Sequence, residues 1–219
     1  MEEIIYRIAI SLPAFLLAIV CHEASHAYMA KRFGDTTGEQ LGRLSLNPAV
    51  HYDLVGTVIF PLIGAMLGGT MFGWAKPVPV DSRRFRNVRS GIFWVSFAGP
   101  LANIILMFVS AILLALILTK VSPTFSYYQV FTEMLKSAVM INVLLAVFNL
   151  IPFPPLDGSK MVSSMLDYNN ARKFEELERY SFVFLIILIA TPVLNWVMSP
   201  ALKASNAIVN IFIQIFARL

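Results

Sequence analysis

The run His22-Glu23-Ala24-Ser25-His26 places two imidazoles and one carboxylate at a spacing that suits metal-dependent hydrolysis. In an α-helix, residues four apart lie about 40° apart around the axis, so the rings of His22 and His26 face one point. Two such nitrogens can hold zinc at about 2.0–2.1 Å, while a glutamate on the neighbouring turn faces the metal-bound water. The motif predicts zinc bound by His22 and His26, with Glu23 as general base.

A catalytic zinc site needs a third protein ligand and one open position, and the sequence offers few candidates for that ligand. His51 is the only other histidine in the chain, and Asp157 lies near the end of the proline-rich run "NLIPFPPLDG" (149–158). Asp53, Asp81 and Asp167 lie in charged or polar loops, where a solvated role is expected. The candidates for the third ligand are therefore His51 and Asp157, and Asp157 could instead cap the following helix.

The HEASH motif follows a long apolar run, which places this chemistry in a membrane protein. Hydrophobic residues make up 58% of the 219-residue chain and charged residues only 14%, whereas ordinary soluble domains have about 25% charged residues. Six apolar segments approach the roughly 20 residues that cross a bilayer as a helix: 4–20, 54–72, 91–119, 131–151, 181–198 and 204–219. We predict an all-α polytopic membrane protein with about five to six transmembrane helices.

The segment 54–72 is the least regular of the six apolar segments. It is rich in glycine and runs into "GWAKPVPV" (73–80), where Pro77 and Pro79 break any helix. About 14 helical residues reach only ~21 Å, and about eight to eleven extended residues at ~3.3 Å each could bring the chain back. We therefore predict a re-entrant or membrane-associated β-hairpin-like region between the first and the next full span.

The distribution of basic residues sets the predicted topology. If 54–72 returns to its starting side, 13 of the 17 Lys and Arg residues lie on one side of the membrane. Cytoplasmic loops carry such an excess, so the active site is expected towards the cytoplasm and the N-terminus outside the cell membrane. The helix 131–151 then runs parallel to the HEASH helix and brings Asp157 to the depth of His22 and His26, which selects Asp157 as the third ligand. Because the basic residues cluster beside apolar runs, the net charge of +4 does not indicate a nucleic-acid partner.

Two further stretches could contact a substrate. Asn149 is an amide in an apolar helix and could donate a hydrogen bond to a substrate carbonyl or oxyanion, or simply to a neighbouring helix. In "KPVPV" (76–80), Pro77 and Pro79 remove the N–H donors from one edge of an extended strand and leave those of the alternate residues on the other edge. That strand, or one over 41–46, could add to an unwound substrate or merely pair with its neighbour.

The last apolar segment, 204–219, carries one narrow polar stripe. Asn206, Asn210, Gln214 and Arg218 recur every fourth residue, so they share one face of an otherwise apolar helix. This helix could pack its stripe against the other helices, or it could lie in the membrane interface.

Five motifs in order resemble the site-2 protease family of intramembrane zinc metalloproteases. They are HEASH, "GRLSLNP" (42–48), "GWAKPVPV" (73–80), "FAGPLANI" (97–104) and "NLIPFPPLDG" (149–158), and the resemblance covers roughly residues 1–170. It implies one zinc ion (Zn2+) per chain held by His22, His26 and Asp157, with Glu23 as catalytic base and Asn149 in substrate engagement. It also implies hydrolysis of peptide bonds within or at the border of transmembrane segments by zinc-activated water.

We expect a single intramembrane metalloprotease domain over residues 1–219, with the catalytic core in 1–170 and C-terminal helices in 171–219. Larger relatives carry a PDZ or CBS domain, for which no stretch here is long enough. The expected partners are a transmembrane protein substrate and the lipid bilayer, with a homo-oligomer or a regulatory membrane protein left open.

Two functions other than proteolysis could also use a metal site in a membrane protein. A membrane metal-ion transporter would be expected to contain inverted repeats and a path of polar residues, and the sequence displays neither. A non-proteolytic zinc-binding regulator would be expected to have lost the glutamate, whereas Glu23 is intact. The motifs therefore favour a zinc metalloendopeptidase.

Overall fold

The structure, a computed structural model, describes residues 2–66 and 73–219. Within these residues the chain is helical and irregular only, with nine α-helices: α1 (Glu2–Phe33), α2 (Thr37–Gln40), α3 (Phe60–Met66), α4 (Val88–Lys120), α5 (Tyr128–Asn149), α6 (Asp157–Met165), α7 (Tyr168–Glu175), α8 (Ser181–Ala190) and α9 (Val193–Arg218). Short 3₁₀ turns lie at Pro48–Val50, Ser82–Arg84 and Glu176–Tyr180, and a π-helical turn at Leu54–Ile59 leads directly into α3.

Four of the described helices, α1, α4, α5 and α9, are long and apolar enough to cross a bilayer. Their most apolar windows have a mean hydropathy between 2.8 for α4 and 1.2 for α9. Even α5, the shortest with 22 residues, reaches ~33 Å at ~1.5 Å per residue, enough for a hydrocarbon core of about 30 Å. The chain is a multi-pass membrane protein.

Four long helices are fewer than the five to six transmembrane helices predicted from the sequence. The apolar segment 181–198 does not form one helix, because Thr191 and Pro192 separate the ten-residue α8 from α9. Proline lacks the N–H that would continue the hydrogen-bond ladder of α8, and it is tolerated at the start of α9. α9 then runs from Val193 through the segment 204–219, so two predicted helices become one short and one long helix.

The predicted β-hairpin-like region between α1 and α4 is wrong for the part of the chain that the structure describes, where no strand forms. The first arm is helical, with the π-helical turn Leu54–Ile59 continuing into α3. Residues 67–72, which would form the turn of the hairpin, lie outside the described residues. Residues 73–80 are extended but have no strand partner.

The extended segment 73–80 is held by hydrogen bonds to three separate parts of the protein. Its N–H groups at alternate positions donate inward: Trp74 to the Gly56 carbonyl (3.1 Å), Lys76 to the His51 carbonyl (2.9 Å) and Val78 to the Glu23 carboxylate (2.9 Å). No sheet results, because the acceptors do not belong to one neighbouring strand. The N–H groups of Lys76 and Val78, predicted as donors for strand addition to a substrate, are therefore already bonded within the protein.

α4 is the central helix and packs against α1, α5, α6 and α9. One buried apolar cluster joins α1 to α5, and it contains Phe15, Ala18, Ile19, Val20 and Ile141. A second cluster joins α4, α5 and α9, and it contains Met107, Ala111, Leu114, Val139, Val143 and Val209. Small residues such as Ala18 and Ala111, both fully buried, let these helices approach closely. α1 and α5 thereby pack against each other and against α4.

Asp35 ties the end of α1 to the loop that enters α4. Its side chain is almost fully buried, with 1% exposure. One carboxylate oxygen accepts hydrogen bonds from the N–H (3.0 Å) and hydroxyl (2.5 Å) of Thr37, and the other accepts from the N–H of Asp81 (2.7 Å). Burial alone would raise the pKa of Asp35, but these hydrogen bonds outweigh burial and hold the pKa below its usual range.

We predict that Asp35→Asn lowers the free energy of unfolding by about 1–3 kcal/mol, because an amide nitrogen cannot accept the hydrogen bond that a carboxylate oxygen accepts. Thermal unfolding in detergent micelles measures the change. Glu133→Gln is the control, since it removes only a surface ion pair with Lys136.

The same carboxylate gives a pH dependence of defined sign. The pKa of Asp35 is lower in the folded than in the unfolded chain, so its stabilisation is complete above the unfolded pKa of about 3.9. It is lost as the pH falls through the folded pKa. An Asp35→Asn protein as stable as wild type at neutral pH would contradict this role.

Candidate metal centre

His22 and His26 lie on one buried face of α1, one helical turn apart. Their residues are 7% and 8% exposed, respectively, and their rings meet edge to face with centroids 4.7 Å apart. α1 forms here because the run from Ile10 to Ala30 is dominated by apolar and small residues that favour helix in a bilayer. The helix therefore presents two imidazoles to the same point.

Asp157, the first residue of α6, brings a carboxylate to the two imidazoles. Its Oδ2 atom lies 3.1 Å from Nε2 of His22 and 3.2 Å from Nε2 of His26. The preceding prolines, Pro152, Pro154 and Pro155, stop α5 and turn the chain back into the protein. The side chain of Asp157 does not cap α6, whose cap residue is Leu156 without a side-chain hydrogen bond.

Gly99 of α4 keeps the space beside these ligand atoms open. A Cβ at this position would lie 2.5 Å from Nε2 of His26 and 2.6 Å from Nε2 of His22, closer than real Cβ contacts allow. Only a residue without a side chain lets α4 pass the two nitrogens. Two imidazoles and one carboxylate around a clear space are a donor set that fits zinc.

The other ring nitrogen of each histidine is held by α4. Nδ1 of His26 donates to the carbonyl of Val95 (2.7 Å), and Nδ1 of His22 donates to Oδ1 of Asn103 (2.7 Å). Because these oxygens only accept, a neutral ring with its hydrogen on Nδ1 satisfies them and leaves the lone pair of Nε2 directed to the centre, as metal binding requires. Such partners fix the tautomer and the orientation of metal-binding histidines.

Asn103 is itself locked in place by α1 and α5. It has 0% exposure, and its amide nitrogen donates to the carbonyl of Ala18 (3.1 Å) and to Oδ1 of Asn142 (2.9 Å). The amide nitrogen of Asn142 in turn donates to the carbonyl of Ala138 (2.9 Å). A buried chain of amides thus connects three helices to His22, and every amide group in it that is named here has a partner.

Glu23 lies beside the histidines but is partly exposed. Its carboxylate and the ring nitrogens of His22 and His26 have ligand atoms within 4.8 Å of one another. Oε2 accepts the N–H of Val78 at 2.9 Å, which holds the carboxylate against the extended segment 73–80. The base candidate is therefore oriented by backbone rather than by another side chain.

The remaining residues singled out from the sequence lie elsewhere. Asn149, at the end of α5, donates to the carbonyl of Leu145 in its own helix (3.0 Å) instead of bonding to the histidines or Asp157. His51 is buried in the loop after α2, where its Nε2 lies 2.9 Å from the carbonyl of Ser45. The three loop aspartates each cap a short helical segment: Asp53, Asp81 and Asp167.

Sequence reasoning missed the roles of Val95, Gly99 and Asn103. These residues are spaced by four along α4, so they form one row facing α1. The signal was available in "FAGPLANI" (97–104), where an amide in an apolar helix stands four residues after a glycine. The spacing along α4 alone does not show that this row faces the histidines of α1.

Comparisons with known proteins give one family. The family model described as "Peptidase family M50" matches residues 118–191. The "Putative zinc metalloprotease YwhC" of Bacillus subtilis is 34% identical over 206 residues, which cover 93% of this chain and 91% of that protein. The "Putative zinc metalloprotease Rip2" of Mycolicibacterium smegmatis is 30% identical over 181 residues, 83% of this chain and 66% of that protein.

The Rip2 protein of Mycobacterium tuberculosis strain H37Rv is 28% identical over the same share of the chain. No solved structure gives a significant match. The similarity to YwhC extends over nearly the whole of both proteins, and this chain therefore belongs to peptidase family M50, the site-2 protease family.

Proposed function

We propose that this protein is an intramembrane zinc metalloprotease that hydrolyses peptide bonds within or at the border of transmembrane segments of membrane proteins. The observation that carries this proposal is the meeting of Asp157 with His22 and His26 beside Glu23, inside a bundle of membrane-crossing helices. The family and the names of its relatives support the same chemistry.

His22, His26 and Asp157 would hold one zinc ion per chain. When bound, zinc supplies Lewis-acid chemistry, polarising a carbonyl and lowering the pKa of a water molecule. The protein's part is to keep the three ligand atoms together: α1 provides both histidines, the row on α4 orients them, and the chain reversal after α5 provides the carboxylate. A neutral imidazole pair with one carboxylate matches the ligand set of catalytic zinc sites.

Glu23 is the general base in this proposal. Its carboxylate accepts a proton from the attacking water and returns it to the leaving amine. The hydrogen bond from Val78 leaves the second carboxylate oxygen free for this proton. A base held by backbone keeps its position while substrate enters, because it depends on no mobile side chain.

Water reaches the centre from one end of the bundle. His26 lies seven residues before the end of α1, or ~10 Å at ~1.5 Å per residue, so the site is below the membrane surface and not at its midplane. Glu23 is partly exposed, so water in this proposal enters through an inlet past its carboxylate to the three ligands.

The inlet opens to the cytoplasm in this proposal, and the N-terminus lies outside. α1 and α5 end near Asp157, whereas α4 begins near Asp35 and runs the other way. The loops at the shared end hold most of the basic residues: Lys31, Arg32, Arg43, Lys76, Arg83, Arg84, Arg86, Arg89, Lys160, Arg172, Lys173 and Arg179. Such an excess is typical of the cytoplasmic side.

The chain functions as one unit in this proposal, with a catalytic core in 1–170 and C-terminal helices in 171–219. α9 belongs to the same bundle because it packs against α4 and α5. One N–H of the Asn149 amide donates to the carbonyl of Leu145, and its second N–H and its Oδ1 would contact the substrate in this proposal.

Glu23→Gln is predicted to keep zinc at the wild-type ratio and to lose cleavage by about 10²–10⁴-fold, because glutamine cannot take up the proton of the attacking water. The purified proteins are compared by zinc content and by cleavage of a panel of transmembrane peptides in liposomes. Glu39→Gln is the control, since Glu39 is a surface residue paired with Lys31. Cleavage by the Glu23→Gln protein at the wild-type rate would contradict the role of general base.

Asp157→Ala is predicted to lose both zinc and cleavage, since the remaining imidazoles form an incomplete ligand set. Zinc content after dialysis against a weak chelator measures this loss. Asp167→Ala provides the matched control, because its carboxylate only caps α7. If zinc stayed in the Asp157→Ala protein, another residue would have to be the third ligand.

Asn103→Ala is predicted to weaken zinc binding about 10–100-fold, because His22 loses the acceptor that fixes its tautomer. Competition with a zinc chelator measures the affinity without using proteolysis. Asn149→Ala is the comparison variant and should bind zinc as wild type, since its amide bonds only within α5. Equal zinc affinities for the Asn103→Ala and wild-type proteins would remove the positioning role.

A further inference from the structure

The polar stripe of α9 points away from the helix bundle. Val209 of α9 is buried against α4 and α5, whereas Asn206, Asn210 and Gln214 are all exposed. At about 100° per residue, Asn206, Asn210 and Gln214 lie roughly 60–140° around the axis from Val209. The stripe therefore does not pack against the described part of the bundle. Packing against the other helices, the first of the two alternatives left open by the sequence, does not agree with this exposure.

The stripe lies at the depth of the hydrocarbon core and not in the interface. Val209 packs in the same buried cluster as Val139 and Val143, which occupy the middle of the 22-residue α5. Asn210 follows Val209 directly, so it lies at the depth of this cluster, within the bilayer that α5 crosses. The second reading of the sequence, a helix lying in the interface, does not agree with this packing.

Two charged residues flank the amides of the stripe, Lys203 before Asn206 and Arg218 after Gln214. Their side chains can reach water, but the amides cannot. Lys203 and Arg218 are both exposed and lie seven and eight residues from Asn210, about 10–12 Å along the helix. Their long side chains can extend to the membrane borders. The amides of Asn206, Asn210 and Gln214 are short and would face lipid without hydrogen-bond partners, which is unfavourable in hydrocarbon.

We propose that the stripe of α9 is a dimer interface, and that its occupant is α9 of a second copy of this chain. Two copies inserted in the same direction are related by a two-fold axis along the membrane normal, so each stripe residue meets its own counterpart at the same depth. A carboxamide has both donors and acceptors, and it therefore pairs with an identical group. A different partner helix would need polar residues at three matching depths.

The geometry and exposure of α9 suit this pairing. Residues spaced by four form an inclined ridge, and two such ridges pack with the helices crossed by about 40–50°. With the crossing near Asn210, the helices diverge towards both ends and keep Lys203 and Arg218 apart from their own copies. α9 is also the least buried of the four candidate spans, with 11% of its apolar window buried against 28–39% for the others.

Disulfide trapping tests the interface in liposomes that contain only the purified protein. Cys21, the one natural cysteine, is first replaced by serine, and single cysteines are placed at 206, 210 and 214. Oxidation is expected to give covalent dimers at these three positions. Ile211→Cys and Ile215→Cys are the matched controls, because these residues are also exposed, at 54% and 47%, but lie roughly 100° and 140° around the axis from Asn210 at the middle of the stripe.

Three results would overturn the proposal. Covalent dimers absent from all three stripe positions would exclude the interface. Equal yields at 211 and 215 would indicate random collision. Labelling of the stripe cysteines by a membrane-impermeant maleimide would place the stripe in water.

The wild-type dimer gives a second readout. Asn210→Leu is expected to raise the dissociation constant about 5–30-fold in liposomes, measured by energy transfer between labelled copies, because one interhelical hydrogen-bonded pair is lost. Asn210→Gln keeps a carboxamide and should retain the dimer. Zinc content reports that each variant is folded. An Asn210→Leu protein that dimerises as tightly as wild type would contradict the proposal.

Discussion

The meeting of one carboxylate with two imidazoles is the contact on which the rest of the structure depends. Oδ2 of Asp157 lies 3.1 and 3.2 Å from Nε2 of His22 and His26, although Asp157 is 131 or more residues away in the chain. Bringing these residues to one depth requires α1 and α5 to be parallel. That in turn requires α4 to run back between them and the chain to reverse after α5.

α4 positions the two histidines through three residues in one row, Val95, Gly99 and Asn103. The carbonyl of Val95 and the amide of Asn103 hold the Nδ1 atoms of the two histidines, and Gly99 leaves room beside their Nε2 atoms. In a bilayer, an unpaired amide is costly, so the chain Asn103–Asn142 also favours one relative position of α1, α4 and α5. Packing and chemistry thus rest on the same residues.

The sequence was sufficient to predict features that depend on the spacing of neighbouring residues or on the apolar character of a segment. The i, i+4 histidines of α1 and the membrane-crossing character followed from helix geometry and composition. Topology favoured Asp157 over His51 as third ligand, and the structure places Asp157, and not His51, beside the two histidines. The β-hairpin-like region was wrong for the described residues of 54–80, because glycine content and segment length predict a chain reversal but not a strand partner. The N–H groups of Trp74, Lys76 and Val78 instead donate to Gly56, His51 and Glu23. The orienting role of Asn103 needed the rotation of α4 against α1, which no spacing along one helix determines.

The zinc K-edge absorption spectrum of the purified, zinc-loaded protein reports the ligand atoms themselves and so distinguishes the proposed zinc site from any other. We expect two imidazole nitrogens and oxygen ligands at about 2.0–2.2 Å, with the imidazole signal halved in a His26→Ala protein that still binds the metal. A sulfur ligand at about 2.3 Å, which only Cys21 or a methionine could supply, or a shell of oxygen atoms alone would contradict it.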